Sequence, residues 1–435
     1  MAPNKRQQIT NQAKTIRSKT KGKMYSIYRN TGTNPERLLH RIYDGVLFEL
    51  LWAMKITLFI AAALLVGVTI DNLSNEEMDP ELLSLGSFHP TASMAPCAEQ
   101  STVDNAQVFL DIHVVQPYKN TSLINLLPNL TELDWPKPLF ATTPAGFLLP
   151  NKTVYPLPRP FEPVMSKGQI SLSRKLLNLF SDFMFSHGYG DRFWLNGGTL
   201  VGSYHHHDFI PWDDDIDVLA DADLRPTIQS FLEHLAPEYE WYAMWERDKL
   251  FTKSLNASDN HLDLEYSRTT SDKGWAWPFL DIGYYRSGPT QTCVYLWRPG
   301  QGECFENSAI FPLLYRPFGK EWYPTPCNTP SYLRSVYKMR SSCVTFGYSH
   351  IFEVGSSYAR VPCYTLAGKY AFTQHCSVTT VPWHSTHALL NKTFVINQER
   401  LVIKTTIGWK VVHTLNLPLK NEVRKCKGYG VPEPR

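Results

Sequence analysis

Trp212-Asp213-Asp214-Asp215-Ile216-Asp217 places four carboxylates in five positions, and the run is bounded by Phe209, Ile210, Pro211 and Val218 instead of polar sequence. A solvated acidic loop tolerates such crowding. An apolar setting does not, because neighbouring carboxylates repel and each resists ionising away from water. Any fold built around this run has to bring a cation to it. Side chains alternate along a strand, so an extended reading sends Asp213, Asp215 and Asp217 to one face and Asp214 to the other. Carboxylate ligands of this kind suit Mg2+ or Mn2+, which bind through one or two carboxylates plus substrate phosphates. Asp215 and Asp217 are the candidate metal ligands.

Upstream, Phe193-Trp194-Leu195-Asn196 is a short apolar run of strand type, ended by Gly197-Gly198 and followed by a predicted helix over Thr199–Tyr204. Two glycines after a strand let the backbone approach an anion closely, and a helix starting there adds its positive end. Gly197, Gly198 and Thr199 are therefore the candidate phosphate-binding turn, with His205 and His206 as polar neighbours of the phosphates. His205-His206-His207 also has the composition of a zinc tract, but three consecutive side chains cannot converge on one ion in a regular element. Downstream, Ile216-Asp217-Val218-Leu219 and Phe279-Leu280-Asp281-Ile282 share a strand pattern with Asp between apolar residues. Asp281 is the expected third acid, acting as a ligand or as the base for an acceptor hydroxyl, and Asp263 or Glu265 is the competing choice.

The string GGTLVG at Gly197–Gly202, continued by HHHDFIPWDDDIDV at His205–Val218, resembles the LicD and fukutin-related group of nucleotidyltransferase-fold transferases, over roughly 176–282. The resemblance implies transfer of a phospho-group from a CDP-activated donor to a glycan hydroxyl on protein or lipid. The group moved would be phosphocholine or an alditol phosphate such as ribitol 5-phosphate. It also implies that Asp215 and Asp217 hold the metal and that Gly198-Thr199 is the phosphate-binding turn. The family often has Arg-His before the acidic run where this chain has His205-His206, and neutral His does not reproduce the fixed fork of Arg.

The expected fold class is α/β (α+β), a nucleotidyltransferase-like mixed sheet with flanking helices over 166–343 and a β-rich region over 344–435. Ile170–His187 has the apolar spacing of an amphipathic helix, and Pro226–Leu235 reads as another. Residues 71–165 are rich in Pro, Asn, Ser and Thr and read as a stem. Residues 1–45 carry ten Lys and Arg against Glu36 and Asp44, although the whole chain is only +3. This basic tail runs into the apolar stretch 46–70, so it reads as the cytosolic side of a single type II membrane anchor, with no nucleic-acid partner expected.

All eight cysteines follow that stretch, as do the sequons at Asn120, Asn129, Asn151, Asn256 and Asn391, which fits a lumenal domain of the Golgi or endoplasmic reticulum. Cys293, Cys304, Cys327 and Cys343 fall close together, and disulfides are favoured over a zinc site. Trp275, Trp277, Tyr284, Tyr285 and Trp297 are candidates for stacking a base or a sugar, or for the core. Two other functions fit the same outline. One is a Golgi glycosyltransferase holding a nucleotide sugar through its Asp-x-Asp pair; the other is an inactive glycan-binding relative.

Overall fold

The computed structural model describes residues 105–149, 151–295, 302–337, 342–383 and 392–420, all within one unit, Pro90–Arg435. The basic tail, the apolar stretch 46–70 and Trp297 lie outside the described residues. Among the described residues, no helix is long and apolar enough to cross a membrane.

Ala106–His113 (α1) precedes the main helix, Lys167–Ser186 (α2). A capping box sets the start of α2: the Ser166 hydroxyl accepts from the Gln169 N–H at 3.1 Å, and the Gln169 side chain accepts from the Ser166 N–H at 2.8 Å. Asp263 adds a carboxylate at this positive helix end, accepting from the Ser166 hydroxyl at 2.5 Å and from the Gly168 N–H at 3.1 Å. Leu172, Leu176, Leu177, Phe180, Phe183 and Met184 recur at three- and four-residue spacing and are buried. Gly188, at φ +76°, takes the left-handed position that ends the helix.

The sheet against this core is mixed. Five of its seven strands are Phe193–Leu195 (β1), Ile216–Asp221 (β2), Tyr239–Ala243 (β3), Arg247–Thr252 (β4) and Phe279–Ser287 (β5), in the order β1-β2-β5-β4-β3, and Gln291–Tyr295 (β6) and Gly302–Glu306 (β7) extend from β5. The helix Gly197–His206 (α3) joins β1 to β2, and Arg225–Glu233 (α4) follows β2. β2 and β5 are parallel, and every other pairing in the sheet is antiparallel. Their register sets Asp217 beside Asp281, while β4 sets Lys249 beside Asp281 from the other side. Ile216, Val218, Leu280 and Ile282, on alternate positions, are buried in the core.

The predicted boundary at 166 is not a break in packing. Ile112, Val115, Leu127, Ala145, Val164 and Met165, within the supposed stem, belong to the same core as α2. Proline spacing limits long elements but does not stop single apolar side chains from being buried. Packing also runs across position 344. Three long antiparallel strands, Phe372–Trp383, Lys392–Thr405 and Gly408–Lys420, make the C-terminal part β-rich as expected. Phe372 and Val402 from these strands share a core cluster with Ile210 and Trp212 beside the acidic run. Two disulfides, Cys293–Cys304 and Cys343–Cys363, use three of the four clustered cysteines, so these do not form a zinc site.

A buried ionic cluster locks the C-terminal sheet to the rest. Arg316 forks onto Glu399 at 2.8 and 2.7 Å, and the same carboxylate meets His207 Nε2 at 2.8 Å and His375 Nδ1 at 3.2 Å. Burial alone would raise the Glu399 pKa, but Arg316 and then His375 hold it well below the usual carboxylate range. Glu399→Ala leaves Arg316 uncompensated in the interior and is expected to cost about 3–5 kcal/mol of stability in denaturant unfolding. His113, His206 and His207 are buried, and desolvation lowers each to about 4. Their folded pKa lies below the unfolded one, so this contribution is full above about pH 6.5 and is lost as pH falls toward 4. Melting followed by circular dichroism should show Tm declining below about pH 6.5, and a flat profile down to about pH 4.5 would contradict this assignment.

Candidate active site

α3 begins directly after β1, with Asn196 extended and Gly197 at φ +58°. The two glycines are required by close approach. A Cβ on Gly197 would lie 1.8 Å from Asp217 Oδ2, and one on Gly198 would lie 1.8 Å from Asp213 Oδ2. Two carboxylates therefore press onto the first turn of a helix, where its positive end favours them. Thr199 fixes the junction: its hydroxyl accepts from the Asp217 N–H at 2.8 Å, and the Asn196 N–H donates to Asp217 O at 3.1 Å.

The acidic run is not one strand. β2 starts at Ile216; a turn over Ile210–Asp213, closed by the Asp213 N–H donating to Ile210 O at 3.0 Å, comes before it, and Asp214 and Asp215 lie between the two. Asp213, Asp215 and Asp217 nonetheless line one cavity of about 530 Å3, together with Gly197, Gly198 and Asp281. Asp214 is committed elsewhere. Its carboxylate accepts from the Ser349 hydroxyl at 3.1 Å, the His350 N–H at 3.0 Å and the Ile351 N–H at 3.4 Å, and contacts His350 Nδ1 at 3.0 Å.

Asp281 accepts from Arg247 Nη1 at 2.7 Å and Lys249 Nζ at 3.1 Å. Burial would raise its pKa, but Lys249 and Arg247 overcome that and hold it down to about 2. The other acids go the opposite way. Burial, then Asp214 and Asp217, pushes Asp213 well above the carboxylate range; burial, then Asp217, does the same to Asp215. Burial and Asp281 lift Asp217 to about 6. His350 sits between two acids, with Nε2 3.3 Å from Asp215 Oδ2. Burial opposes its charge, but Asp215 and Asp214 prevail and raise it to about 10. The cavity is short of positive charge.

The predicted site residues divide into two groups. Gly197, Gly198, Asp215, Asp217 and Asp281 meet at the cavity, with Thr199 just behind. His205 and His206 do not. The helix runs on to His206, and at 1.5 Å per residue this carries them roughly 12 Å from the glycines. Both are buried. His206 Nδ1 bonds Ala371 O at 2.8 Å, so these rings serve the contact with the C-terminal part and do not face the phosphate turn. Asp263 caps α2 and Glu265 accepts from the Ser171 hydroxyl, so neither competes with Asp281. Trp277 is core, donating to Asp214 O at 2.5 Å, and Tyr284 is buried, donating to Asp248 at 2.7 Å.

Sequence reasoning missed Arg247, Lys249 and His350. Arg247 and Lys249 stand two apart on β4, a spacing that shows cations sharing a strand face. His350 carries no such signal, since only the folded chain brings it to Asp215.

Residues 190–328 match the family model described as LicD/FKTN/FKRP, nucleotidyltransferase domain. The chain is 34% identical over 99 residues to the lipopolysaccharide cholinephosphotransferase LicD of Haemophilus influenzae, which is 22% of this chain and 36% of that protein. It thus spans about a third of that relative's length. A solved structure, the lincosamide antibiotic adenylyltransferase LnuA bound to lincomycin, is similar over 39% of this chain and 88% of that one, at 16% identity. Its TM-score of 0.24 is too low to establish a shared fold. Over residues 190–328 the chain is similar to the LicD family.

Gly198→Ala puts a methyl group where Asp213 Oδ2 now lies. Mn2+ is expected to raise the Tm of the unaltered protein, and the variant to lose most of that rise while its circular dichroism spectrum stays the same. An undiminished Mn2+ shift would show that the carboxylate can move freely.

Proposed function

We propose that this protein is a divalent-metal-dependent transferase that moves a substituted phosphate from a CDP-activated donor to a glycan hydroxyl. The observation that carries the reading is the pressing of Asp213 and Asp217 onto the Gly197-Gly198 helix start, opposite Asp281. The LicD-family segment supports the reaction class, and the relative's name supports phosphocholine as one candidate for the transferred group, beside an alditol phosphate.

The residues fit a divalent ion. Asp215 Oδ2 and Asp281 Oδ1 are buried without a hydrogen-bond donor among the described residues, although His350 Nε2 is near the former. Asp214, Asp215 and His350 offer ligand atoms within 4.8 Å of one another. Asp214 is already saturated by the 349–351 backbone and side chains, so Asp215 and Asp217 are the better ligands, with Asp213 and Asp281 beside them. Mg2+ or Mn2+ bound there would supply positive charge to the donor phosphates and the leaving nucleotide.

The chain's own groups complete the site. Arg247 and Lys249 keep Asp281 ionised and set positive charge behind the reacting phosphate. Asp281, held at about 2, is too weak a base to take the acceptor's proton and reads as a charge or ligand instead. The first turn of α3 turns its positive end to the same space.

A single-pass type II anchor over 46–70 with a lumenal catalytic part is the proposed setting. Its support is the basic tail, the exposed asparagines of the sequons at Asn120, Asn129, Asn151 and Asn256, and the disulfides Cys293–Cys304 and Cys343–Cys363.

The test is to incubate the protein with CDP-choline, CDP-ethanolamine, CDP-alditols and nucleotide sugars, with Mn2+ or Mg2+ and after chelation. CMP release from a CDP donor is expected, dependent on metal and reduced at least about 100-fold in Asp215→Ala and Asp217→Ala. Nucleoside diphosphate release from a nucleotide sugar would instead identify a glycosyltransferase.

A further inference from the structure

The cavity holding Asp215, Asp217 and Asp281 has a neighbour. A second cavity, of about 440 Å3, is lined by residues 157–162, Val164, Trp212–Asp214 and the stretch from Thr345 to Ser357. The two cavities share Asp213, Phe346, Tyr348 and His350, which form a common wall. Most of that wall is one small hairpin, Tyr348–Ser349 paired with Val354–Gly355.

The hairpin is a built element. The Thr345 N–H donates to Ala359 O at 2.9 Å and the Ser356 N–H donates to Gly347 O at 2.9 Å. Asp214 grips its turn through Ser349 and His350, and Glu353 accepts from Trp275 Nε1 at 2.9 Å. The wall is thus fixed to the acidic run at one end and to the core at the other.

The two chambers differ in chemistry. The first carries Arg247, Lys249 and the ionisable carboxylates, which suits a metal and a nucleotide diphosphate. The second is lined by Arg159 and by the shared His350, against Glu162, Asp213 and Asp214, and Asp214 is the acid that already holds His350, so little positive charge is left for an anion. It does offer hydroxyls at Ser356 and Ser357. Phe346 and Tyr348 are each 42% exposed, leaving aromatic surface free beside them. Hydroxyls next to open aromatic faces suit an uncharged sugar, whose C–H face packs on a ring while its hydroxyls bond to the rim.

In phosphoryl transfer the attacking and leaving oxygens lie roughly in line on opposite sides of the phosphorus. The two substrates must therefore enter from different sides. Resting on the donor chemistry proposed above, we infer that the second chamber is the acceptor subsite, taking a neutral saccharide, and that the 345–358 hairpin determines acceptor specificity. The hairpin lies beyond the family-matched segment 190–328, so acceptor choice is carried by sequence outside that shared domain. In the balanced step, the acceptor oxygen forms its bond to the donor's transferable phosphorus as the bond from that phosphorus to the CMP oxygen breaks. CMP leaves with the bonding pair, and the hydroxyl proton passes to solvent.

Filling the chamber tests this. A Cβ on Gly355 would meet only Gly347 O at 3.9 Å, so Gly355→Trp is sterically permitted at its base. Ser357→Trp, at an exposed position, is the second variant. Each is assayed with the CDP donor that the unaltered protein accepts, first with water alone and then with a panel of methyl glycosides as acceptor probes. The unaltered protein should release CMP faster with at least one glycoside. Both variants should keep the water rate within about twofold while the half-saturating glycoside concentration rises at least tenfold. Unchanged glycoside saturation in both variants would overturn the acceptor assignment, as would an equal loss of the water rate. Acceleration by none of the glycosides, with CMP still released to water, would overturn the saccharide class. No CMP release by the unaltered protein from any CDP donor would sink the donor chemistry itself, a separate result.

Discussion

The structure depends on how closely two carboxylates are held to a helix start. Asp213 and Asp217 occupy the space that side chains at Gly198 and Gly197 would need. This contact has two consequences. It explains why glycine stands at both positions when only Gly197 needs a left-handed backbone. It also concentrates negative charge where the helix end, Arg247, Lys249 and His350 are the available compensation.

The rest of the fold serves to hold that arrangement. The parallel register of β2 and β5 sets Asp217 against Asp281, and β4 brings Lys249 to the other flank. Trp212, next to the run, donates to Val344 O at 3.0 Å and packs in a cluster with Tyr370, Phe372 and Val402. The C-terminal sheet is therefore a buttress for the acidic turn. The Arg316–Glu399 pair fastens it, and Asp214 ties the turn to the 345–358 hairpin.

Much of this was legible in the sequence, for definable reasons. α2 was visible because its apolar period is regular, and β2 and β5 because each sets one Asp between apolar neighbours. Asp281 could be chosen from its strand pattern, but its pairing with Asp217 depends on register, which no local pattern encodes. The extended reading of Asp213–Asp215 failed because β2 starts only at Ile216, where β5 supplies its partner. Asp213, Asp215 and Asp217 nonetheless line one cavity, although the first two lie outside the strand. His205 and His206 were misplaced because α3 runs two residues past Tyr204, which carries both rings into a contact with the C-terminal part. His350 lies 135 residues beyond Asp215, and tertiary packing alone brings the two together.

The central claim is that this crowded acidic site is completed by a divalent ion. Titration calorimetry of Mn2+ into the protein and into Asp217→Asn tests it most directly. The account predicts one bound ion in the unaltered protein and at least tenfold weaker binding in the variant, with both proteins folded. Mn2+ binding of equal strength in the two, or none in either, would contradict it.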